Sequence, residues 1–308
     1  MTADQAVACA VQVGGGVAAA PFLSGLVQHW KARLQGRRGP SPLQPYRELR
    51  RLWGKSVVAI EGSTTIYRIA PAIATAATAT AVLLVPASAA AGDLGVGHDL
   101  LAFVAILGLA RFVMVLSAWD TANAFSLMGA SRDLTVAAFV EITLLLSLTV
   151  AALVGGTTNL TVIEAATAGA EPWRSPAMPL AAVAIALVLI AETGRQPIDN
   201  PDTHLELTMI HEGPLLEYAG RDLAMLQWVA AARHWLFLVL IAQVFVPHVT
   251  SPRGQLAILP LALVIGCAAL AVVETLVAKM RILLAPRLIG VGAAAALLGI
   301  AAWLVEGG

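Results

Sequence analysis

The chain has 308 residues, of which 58% are hydrophobic and only 12% are charged, and its formal net charge is zero. Soluble domains carry about a quarter charged residues, so this composition argues against a soluble globular domain and favours a polytopic membrane protein. Zero net charge gives no basis for nucleic-acid binding. The two cysteines, Cys9 and Cys267, are too few to ligate an iron–sulfur cluster.

Eight apolar runs are long enough to cross a bilayer, whose hydrocarbon core of about 30 Å requires roughly 20 residues of helix. Lipid cannot satisfy backbone polar groups, so helices are the expected form of every run. We predict an all-α, polytopic integral membrane protein that forms a single membrane domain over residues 1–308. The first run lacks the basic start of a signal peptide and is expected to remain uncleaved. The predicted spans are 6–28, 66–87, 100–119, 133–154, 178–194, 224–246, 256–279 and 282–304.

Positive charges indicate the orientation of these spans, because cytoplasmic loops are enriched in lysine and arginine. The odd-numbered loops, the largest of which lie at about 29–65 and 195–223, hold nearly all the basic residues between the spans. The even-numbered loops contain only Arg174 and Arg253. This distribution predicts that the odd-numbered loops are cytoplasmic and that both termini face outward from a cell inner (plasma) membrane.

A short amphipathic helix is predicted in the first loop, within the run SPLQPYRELRRLWGK. Leu43, Tyr46, Leu49 and Trp53 recur near helical spacing and arginines occupy another side, so the helix can lie among lipid headgroups. The basic residues of the loop either anchor it to the membrane surface or form a docking surface for a soluble partner. The docking candidates in this loop are Arg33, Arg37, Arg38, Gln44 and Arg47.

Five ionisable residues are predicted to lie inside the membrane. A rise of 1.5 Å per residue places each of them roughly 8–14 Å from the cytoplasmic end of its own helix. Charges in lipid are costly unless they are paired or hydrated, so these residues are expected to face the bundle interior and to meet in one layer. The layer is either a set of ion pairs that orients the helices or a buried chain for proton movement. Its predicted members are Arg111, Glu141, Arg233, His234 and Glu274.

The segment 192–222 is the most polar part of the chain outside the basic first loop. Two prolines exclude a continuous helix through its first third. Thr203 and Glu206 fit a capping box, which predicts a short helix over 204–212. This much acid exceeds what a connection between two helices requires.

The side chains of this segment have two candidate roles. Its acids are expected to form the entrance of a proton path or a docking surface, because the segment faces the cytoplasm. His204 and His211 lack the spacing of a zinc site, so we expect them to titrate near neutrality or to hydrogen-bond a docked subunit, and no metal site is predicted. Glu217 and Arg221 are spaced for a helix salt bridge. The proton-path candidates are Glu192, Asp199, Asp202, Glu206 and Glu212; the docking candidates are Arg195, His204, His211, Glu217, Tyr218 and Arg221.

The run AETGRQPIDNPDTHLELTMIHEGPLLEYAGRDLAML resembles the corresponding loop of membrane-arm subunit 1 of respiratory complex I. Features similar to that loop are Ala191–Glu192, the Arg-x-Pro-x-Asp pattern at 195–199, and Glu217–Tyr218. The run Thr203–Glu212 is more similar to formate hydrogenlyase subunit 4 and its counterparts in group 4 membrane-bound nickel–iron hydrogenases. The complex I branch has Pro-Phe-Asp where this chain has Pro197-Ile198-Asp199, which leaves quinone binding open. Segments 32–55, 129–141 and 273–286 also resemble the family.

The resemblance implies a membrane subunit of a group 4 hydrogenase-type complex that couples redox chemistry in peripheral subunits to proton or sodium translocation. It implies no redox centre and no cofactor in this chain. The implied partners are a hydrogenase-like large subunit and an iron–sulfur small subunit, which would carry an iron–sulfur cluster and a nickel–iron centre, together with antiporter-like membrane subunits and lipids. Two alternatives stay open: the quinone-site subunit of a complex I-type NADH–quinone oxidoreductase, and a passive structural anchor.

Overall fold

The computed structural model describes residues 10, 12–58, 60–86, 99–199, 209–248 and 251–306. These residues form helices and turns and contain no strand, as predicted for an all-α protein. A π-helical segment, Gly15–Ala19, precedes the first α-helix, and 3-10 turns lie at Glu171–Trp173, Gly213–Leu215 and Ile282–Leu284. The α-helices are α1 Ala20–Leu34, α2 Gln44–Trp53, α3 Thr65–Leu84, α4 Asp99–Asp120, α5 Ala124–Gly155, α6 Leu160–Thr167, α7 Ala177–Glu192, α8 Gly220–Val244, α9 Pro252–Leu276 and α10 Ala285–Glu306.

Within the described part of the chain, six helices are long and apolar enough to cross a membrane, and the protein is a multi-pass membrane protein. They are α3, α4, α5, α8, α9 and the stretch Ile282–Glu306 that includes α10. The other two predicted spans coincide with shorter helices, since α7 has 16 residues and α1 has 15. A total of eight spans therefore stays a prediction. The helix α2 lies where an amphipathic helix was predicted in the first loop.

The helix α5 begins nine residues before its predicted start at 133. Asn123 caps it, because the Asn123 side chain accepts a hydrogen bond of 2.8 Å from the backbone N–H of Phe125. The hydropathy pattern missed this start because Arg132 and Asp133 interrupt the apolar run. Arg132 was assigned to a loop, and that assignment is wrong: Arg132 and Asp133 both lie inside the helix.

The helix α8 lies at the centre of the bundle and packs against α1, α2, α3, α6, α7 and α9. Its run Trp235–Leu240 is buried, as expected for a helix segment that is apolar on all sides. Around it, α10 packs on α7 and α5, α3 packs on α4, and α9 packs on α1. The start of α8 and the ends of α7 and α9 meet at one end of the bundle, and that end holds the polar residues described below.

The predicted helix 204–212 is not found at its C-terminal end, where residues 209–212 form bends; its earlier part lies outside the described residues. Two backbone N–H groups of this bend donate to Asp199 Oδ2, at 3.2 and 3.4 Å, instead of to helical carbonyl groups. The following 3-10 turn lies directly on α5: a Cβ atom built on Gly129 would be 2.7 Å from the Cα atom of Gly213. The bend therefore has a fixed position against α5.

The predicted helix salt bridge between Glu217 and Arg221 is not present in the described part of the chain. Helix α8 begins only at Gly220, which has a φ of +59°, so the two side chains do not share a helix. The Glu217 carboxylate accepts a hydrogen bond from the Asn123 side chain instead. Its backbone carbonyl accepts one of 2.8 Å from the hydroxyl of Tyr67.

Candidate functional site

Arg111 lies inside α4 and contacts three carboxylates from two other helices. Its terminal nitrogens are 2.6 Å from Glu192 Oε1 and 3.4 Å from Glu141 Oε1, and its Nε is 3.7 Å from Asp133 Oδ2. Arg233 on α8 approaches the other oxygen of Glu192 at 3.7 Å. Burying a charge is costly unless other charges compensate it, and each of these two guanidinium groups has at least one carboxylate partner.

The contacts continue from Asp133 into the polar segment. His211 Nε2 is 3.6 Å from Asp133 Oδ1, and His211 Nδ1 is 3.7 Å from Asp199 Oδ2. The other oxygen of Asp199 is 2.9 Å from Lys279 Nζ, just beyond the end of α9. This set of residues is called the Arg111 network: Arg111, Asp133, Glu141, Glu192, Asp199, His211, Arg233 and Lys279.

The charges of the Arg111 network favour a protonated histidine. It contains four carboxylates and three permanent cations, so protonation of His211 makes the set neutral. Burial by itself disfavours the imidazolium form, but the contacts with Asp199 and Asp133 outweigh burial and raise the pKa of His211 above its ordinary value. Burial also opposes ionisation of Asp199, yet its contacts with His211 and Lys279 hold the pKa of this carboxyl well below its usual range.

A cavity of about 110 Å³ adjoins the Arg111 network. A water molecule occupies about 30 Å³ in the liquid, so the cavity has room for a few water molecules. Apolar side chains of α3 and α8 complete its wall, among them Ala74, Leu226 and Val229. Carboxylates, an imidazole and water within one buried space are groups that can exchange protons with one another. The network residues that line it are Arg111, Asp133, Glu192, His211 and Arg233.

Glu274 belongs to a separate cluster, which we call the Glu274 cluster. Its Oε1 is 2.9 Å from Arg195, and its Oε2 is 2.9 Å from Nζ of Lys31. All three side chains are buried. Glu274 was predicted to meet Arg111, Arg233 and His234; it does not, because α9 packs against α1 and α8 and so turns this carboxylate toward Lys31 on α1.

His234 also lies apart from the carboxylates with which it was predicted to converge. Its Nδ1 is 3.3 Å from the hydroxyl of Ser24 on α1, and it is buried. The predicted single layer is therefore two groups of charges, which the segment 192–199 joins. Glu192 and Asp199 from this segment enter the Arg111 network, whereas Arg195 between them enters the Glu274 cluster.

The docking candidates divide by exposure. Arg195 and Tyr218 are buried, and His211 is mostly buried, so their side chains contact this chain and do not face a partner. The Tyr218 ring stacks on Tyr67 with ring centroids 4.6 Å apart, and its hydroxyl donates to the Tyr67 carbonyl at 3.0 Å. Gln44 is half-buried and donates to Glu48 at 3.1 Å. The exposed candidates are Arg33, Arg37, Arg38, Arg47 and Arg221.

The remaining candidates of the polar segment are Asp202, His204, Glu206 and Glu212. The first three lie outside the described residues. Glu212 is half-buried and directly precedes the 3-10 turn at Gly213. In the part of the chain that the structure describes, no group of three or more histidine, cysteine, aspartate or glutamate side chains could hold a metal ion.

Three charged residues of these clusters were not predicted. Asp133 and Lys31 were both taken as loop or boundary residues, but α5 begins earlier and α1 ends later than the apolar runs indicate. Lys279 follows α9 directly and was counted only as a positive charge of a loop. The available signal was helix capping: Asn123 marks the start of α5, and that start places Asp133 within the bundle.

Several known proteins are similar to this chain. Residues 7–304 match the model of the family described as NADH dehydrogenase. The chain is 32% identical over 282 residues to formate hydrogenlyase subunit 4 of Escherichia coli, covering 89% of this chain and 91% of that protein. It is 32% identical over 246 residues to hydrogenase-4 component C of the same organism, covering 80% and 76%.

More distant relatives and a solved structure agree. An NADH-quinone oxidoreductase membrane protein of Geobacillus thermodenitrificans is 29% identical over 195 residues, which cover 61% of this chain and 57% of that protein. A chain in the structure of the membrane-bound sulfane sulfur reductase, an archaeal respiratory membrane complex, superposes with a TM-score of 0.79 at 21% identity. The match covers 96% of this chain and 99% of that one, and it shows a shared fold.

Proposed function

Since the chain belongs to the NADH dehydrogenase family, together with membrane subunits of formate hydrogenlyase, hydrogenase-4 and complex I, we propose that it is the coupling subunit of a group 4 hydrogenase-type complex. It anchors peripheral redox subunits to the membrane and links their chemistry to translocation of protons or sodium ions. The observation that carries the proposal is Arg111, buried and in contact with three carboxylates beside a cavity of water size.

The geometry supports a role in charge transfer in addition to a structural role. Glu192 is almost fully buried, whereas the Glu141 side chain is 40% exposed, although both contact the same guanidinium. Ion pairs that only orient helices need no group with access to water. Glu141 has such access and is paired weakly, at 3.4 Å, so it can gain and lose a proton while Glu192 keeps Arg111 in place.

The coupling follows from electrostatics. A charge that arrives in a neighbouring redox subunit changes the potential in the poorly solvated Arg111 network, and the proton affinities of its carboxylates and imidazole change with it. His211 and Asp199 lie in the polar segment, where they would receive this signal first. Asp133 then connects His211 to Arg111 and Glu141 inside the bundle. Asp202, Glu206 and Glu212 are proposed as the entrance of this path.

The partners proposed for this chain are a hydrogenase-like large subunit, an iron–sulfur small subunit and antiporter-like membrane subunits. The exposed arginines of the first loop and Arg221 are proposed to contact the peripheral subunits, because a basic surface favours attachment to acidic partners and to lipid headgroups. The polar segment would then face the cytoplasm of a cell whose inner membrane holds the complex.

Quinone binding is the second candidate, and one observation bears on it. Pockets for small molecules usually measure about 300–1,000 Å³. The cavity beside the Arg111 network measures about 110 Å³ in this chain, which favours water over a quinone ring. Quinone dependence of the purified assembly would favour the complex I-type alternative over the hydrogenase type.

The test is Glu141→Gln in the complete complex, compared with Glu171→Gln, which removes an exposed carboxylate that pairs with Arg174. Inverted membrane vesicles report ion translocation through a pH-sensitive dye, while redox turnover and co-purification of the partner subunits are measured in parallel. We expect Glu141→Gln to assemble and turn over but to lose translocation, and Glu171→Gln to match the wild type. Full translocation by Glu141→Gln would instead support the passive anchor.

A further inference from the structure

A third polar cluster lies at the end of the bundle opposite the Arg111 network. It consists of Glu164 on α6, His248 just beyond the end of α8, and Gln255 in the first turn of α9. Helix α8 has 25 residues and is therefore roughly 37 Å long, and its two ends mark the two polar regions. Nothing in the proposed coupling path uses these residues.

Glu164 is completely buried at this position. Its Oε1 is 3.0 Å from Nε2 of His248 and accepts a hydrogen bond of 2.7 Å from the side-chain amide of Gln255. Its Oε2 has no hydrogen-bond partner among the described residues. A buried carboxylate with one oxygen lacking a donor is unfavourable, so a proton on or next to this group is favoured.

The contacts of His248 define where that proton lies. Its Nδ1 is 2.9 Å from the carbonyl oxygen of Val246, which can only accept, so Nδ1 carries a hydrogen. Its Nε2 faces Glu164 Oε1, and a proton between these two atoms belongs either to an imidazolium or to a carboxylic acid. The Gln255 amide nitrogen is also 3.3 Å from His248 Nε2, and its two hydrogens can bridge both atoms once that proton has left. The cluster thus provides hydrogen bonds for a loaded and an unloaded state.

A cavity of about 460 Å³ gives this cluster access to water. His248 and Gln255 line the cavity, together with Gln243 and apolar residues of α8 and α9. Glu164 is not part of the lining and lies behind these two side chains. Protons that reach Glu164 from the cavity therefore pass His248.

We propose that Glu164 and His248 form a proton-binding site that exchanges protons with water in this cavity. Loading places one proton from cavity water between His248 Nε2 and Glu164 Oε1. Release returns that proton to water and leaves a neutral imidazole and a carboxylate, bridged by Gln255. The site goes beyond the proposed function, because it binds protons whether or not the complex translocates ions.

Other charged groups leave the pair as the dominant local titration. Burial disfavours a charged imidazole, but the contacts with Glu164 and with the Val246 carbonyl raise the pKa of His248 above its ordinary value. The nearest titratable groups of α5 and α8 are Glu141 and His234, roughly 21 and 15 Å along their helices from the ends near this cluster. At the same end of the bundle lie the exposed pair Glu171–Arg174, the exposed Arg253 and the buried Asp99.

The test uses the purified complete complex in lipid nanodiscs, with infrared difference spectra recorded between about pH 5 and pH 9, the range in which histidine pairs titrate. We expect the wild type to show an imidazole or carboxyl band that both Glu164→Gln and His248→Gln lose. Glu171→Gln, an exposed carboxylate at the same end, is the matched control and retains the band. Identical spectra for the wild type and both cluster variants would overturn the proposal, as would a wild-type band that responds to sodium at constant pH.

A third variant tests the site if either substitution prevents assembly. Gln255→Leu keeps the titrating pair and removes the bridge that stabilises its unloaded state. The midpoint of the band is expected to rise by about one pH unit, because the unloaded state loses a hydrogen bond to a charged group. An unchanged midpoint would contradict the two-state arrangement.

Discussion

Neutralising Glu192 has a consequence for stability that differs from neutralising Glu141, although both contact Arg111. The Glu192 side chain is 2% exposed and lies 2.6 Å from Arg111 and 3.7 Å from Arg233. Removing one partner of a buried ion pair costs about 3–5 kcal/mol, because the remaining charge stays buried without compensation. The Glu141 side chain is 40% exposed and lies 3.4 Å from Arg111, and pairs of that kind contribute about 0–1 kcal/mol.

The assay is the thermal stability of the purified assembly, compared among the wild type, Glu192→Gln and Glu141→Gln. A chain of this size loses roughly 2–4 °C of Tm per kcal/mol, so Glu192→Gln should lower Tm by at least about 6 °C and Glu141→Gln by less than about 4 °C. Both substitutions keep the side-chain volume, so packing is a shared control. Equal shifts in the two variants would refute the assignment of Glu192 as the structural partner and Glu141 as the exchangeable one.

Two further predictions concern the bend that carries His211. Its raised pKa gives the protonated imidazole a stabilising contribution that is fully present below the unfolded value of about 6.5 and is lost as pH rises through the folded value, so His211→Gln should lower Tm at acidic pH and flatten its decline above neutrality; parallel Tm–pH curves would contradict this. Gly194 has a φ of +60°, and a Cβ atom there would lie 3.0 Å from His211 Nδ1, whereas Gly156 has a φ of +64° and no atom within 4 Å of such a Cβ. Gly194→Ala should therefore destabilise the assembly more than Gly156→Ala, which adds backbone strain of about 1 kcal/mol alone; equal losses of Tm would show that contact with His211 has no effect.

The helices could be predicted from the sequence because a bilayer constrains them strongly. Every predicted span overlaps an observed helix, since each must present about 20 apolar residues to lipid whatever its partners are. The ionisable residues within the spans could be identified for the same reason: a charge in an apolar run is conspicuous. The pairing of Arg111 with Glu141 was predicted from depth alone.

The partners of those charges depend on information that hydropathy does not contain. Depth along a helix does not determine which neighbour a side chain faces, and the packing of α9 on α1 directs Glu274 to Lys31 and away from Arg111. Glu192 was assigned to the polar segment and is in fact the closest partner of Arg111, because α7 ends inside the bundle. Asp133 was missed because an asparagine cap, and not the apolar pattern, determines where α5 begins.

The segment that joins the two charge clusters also has a fixed length. Glu192, Arg195 and Asp199 follow one another within two turns of chain, and each contacts a different helix or loop. One residue inserted after Glu192 would move Arg195 away from Glu274 and so withdraw one of the two cations described beside that carboxylate. Insertions for labels, linkers or crosslinks therefore belong outside 192–199, and length changes in this stretch are expected to disturb both clusters at once.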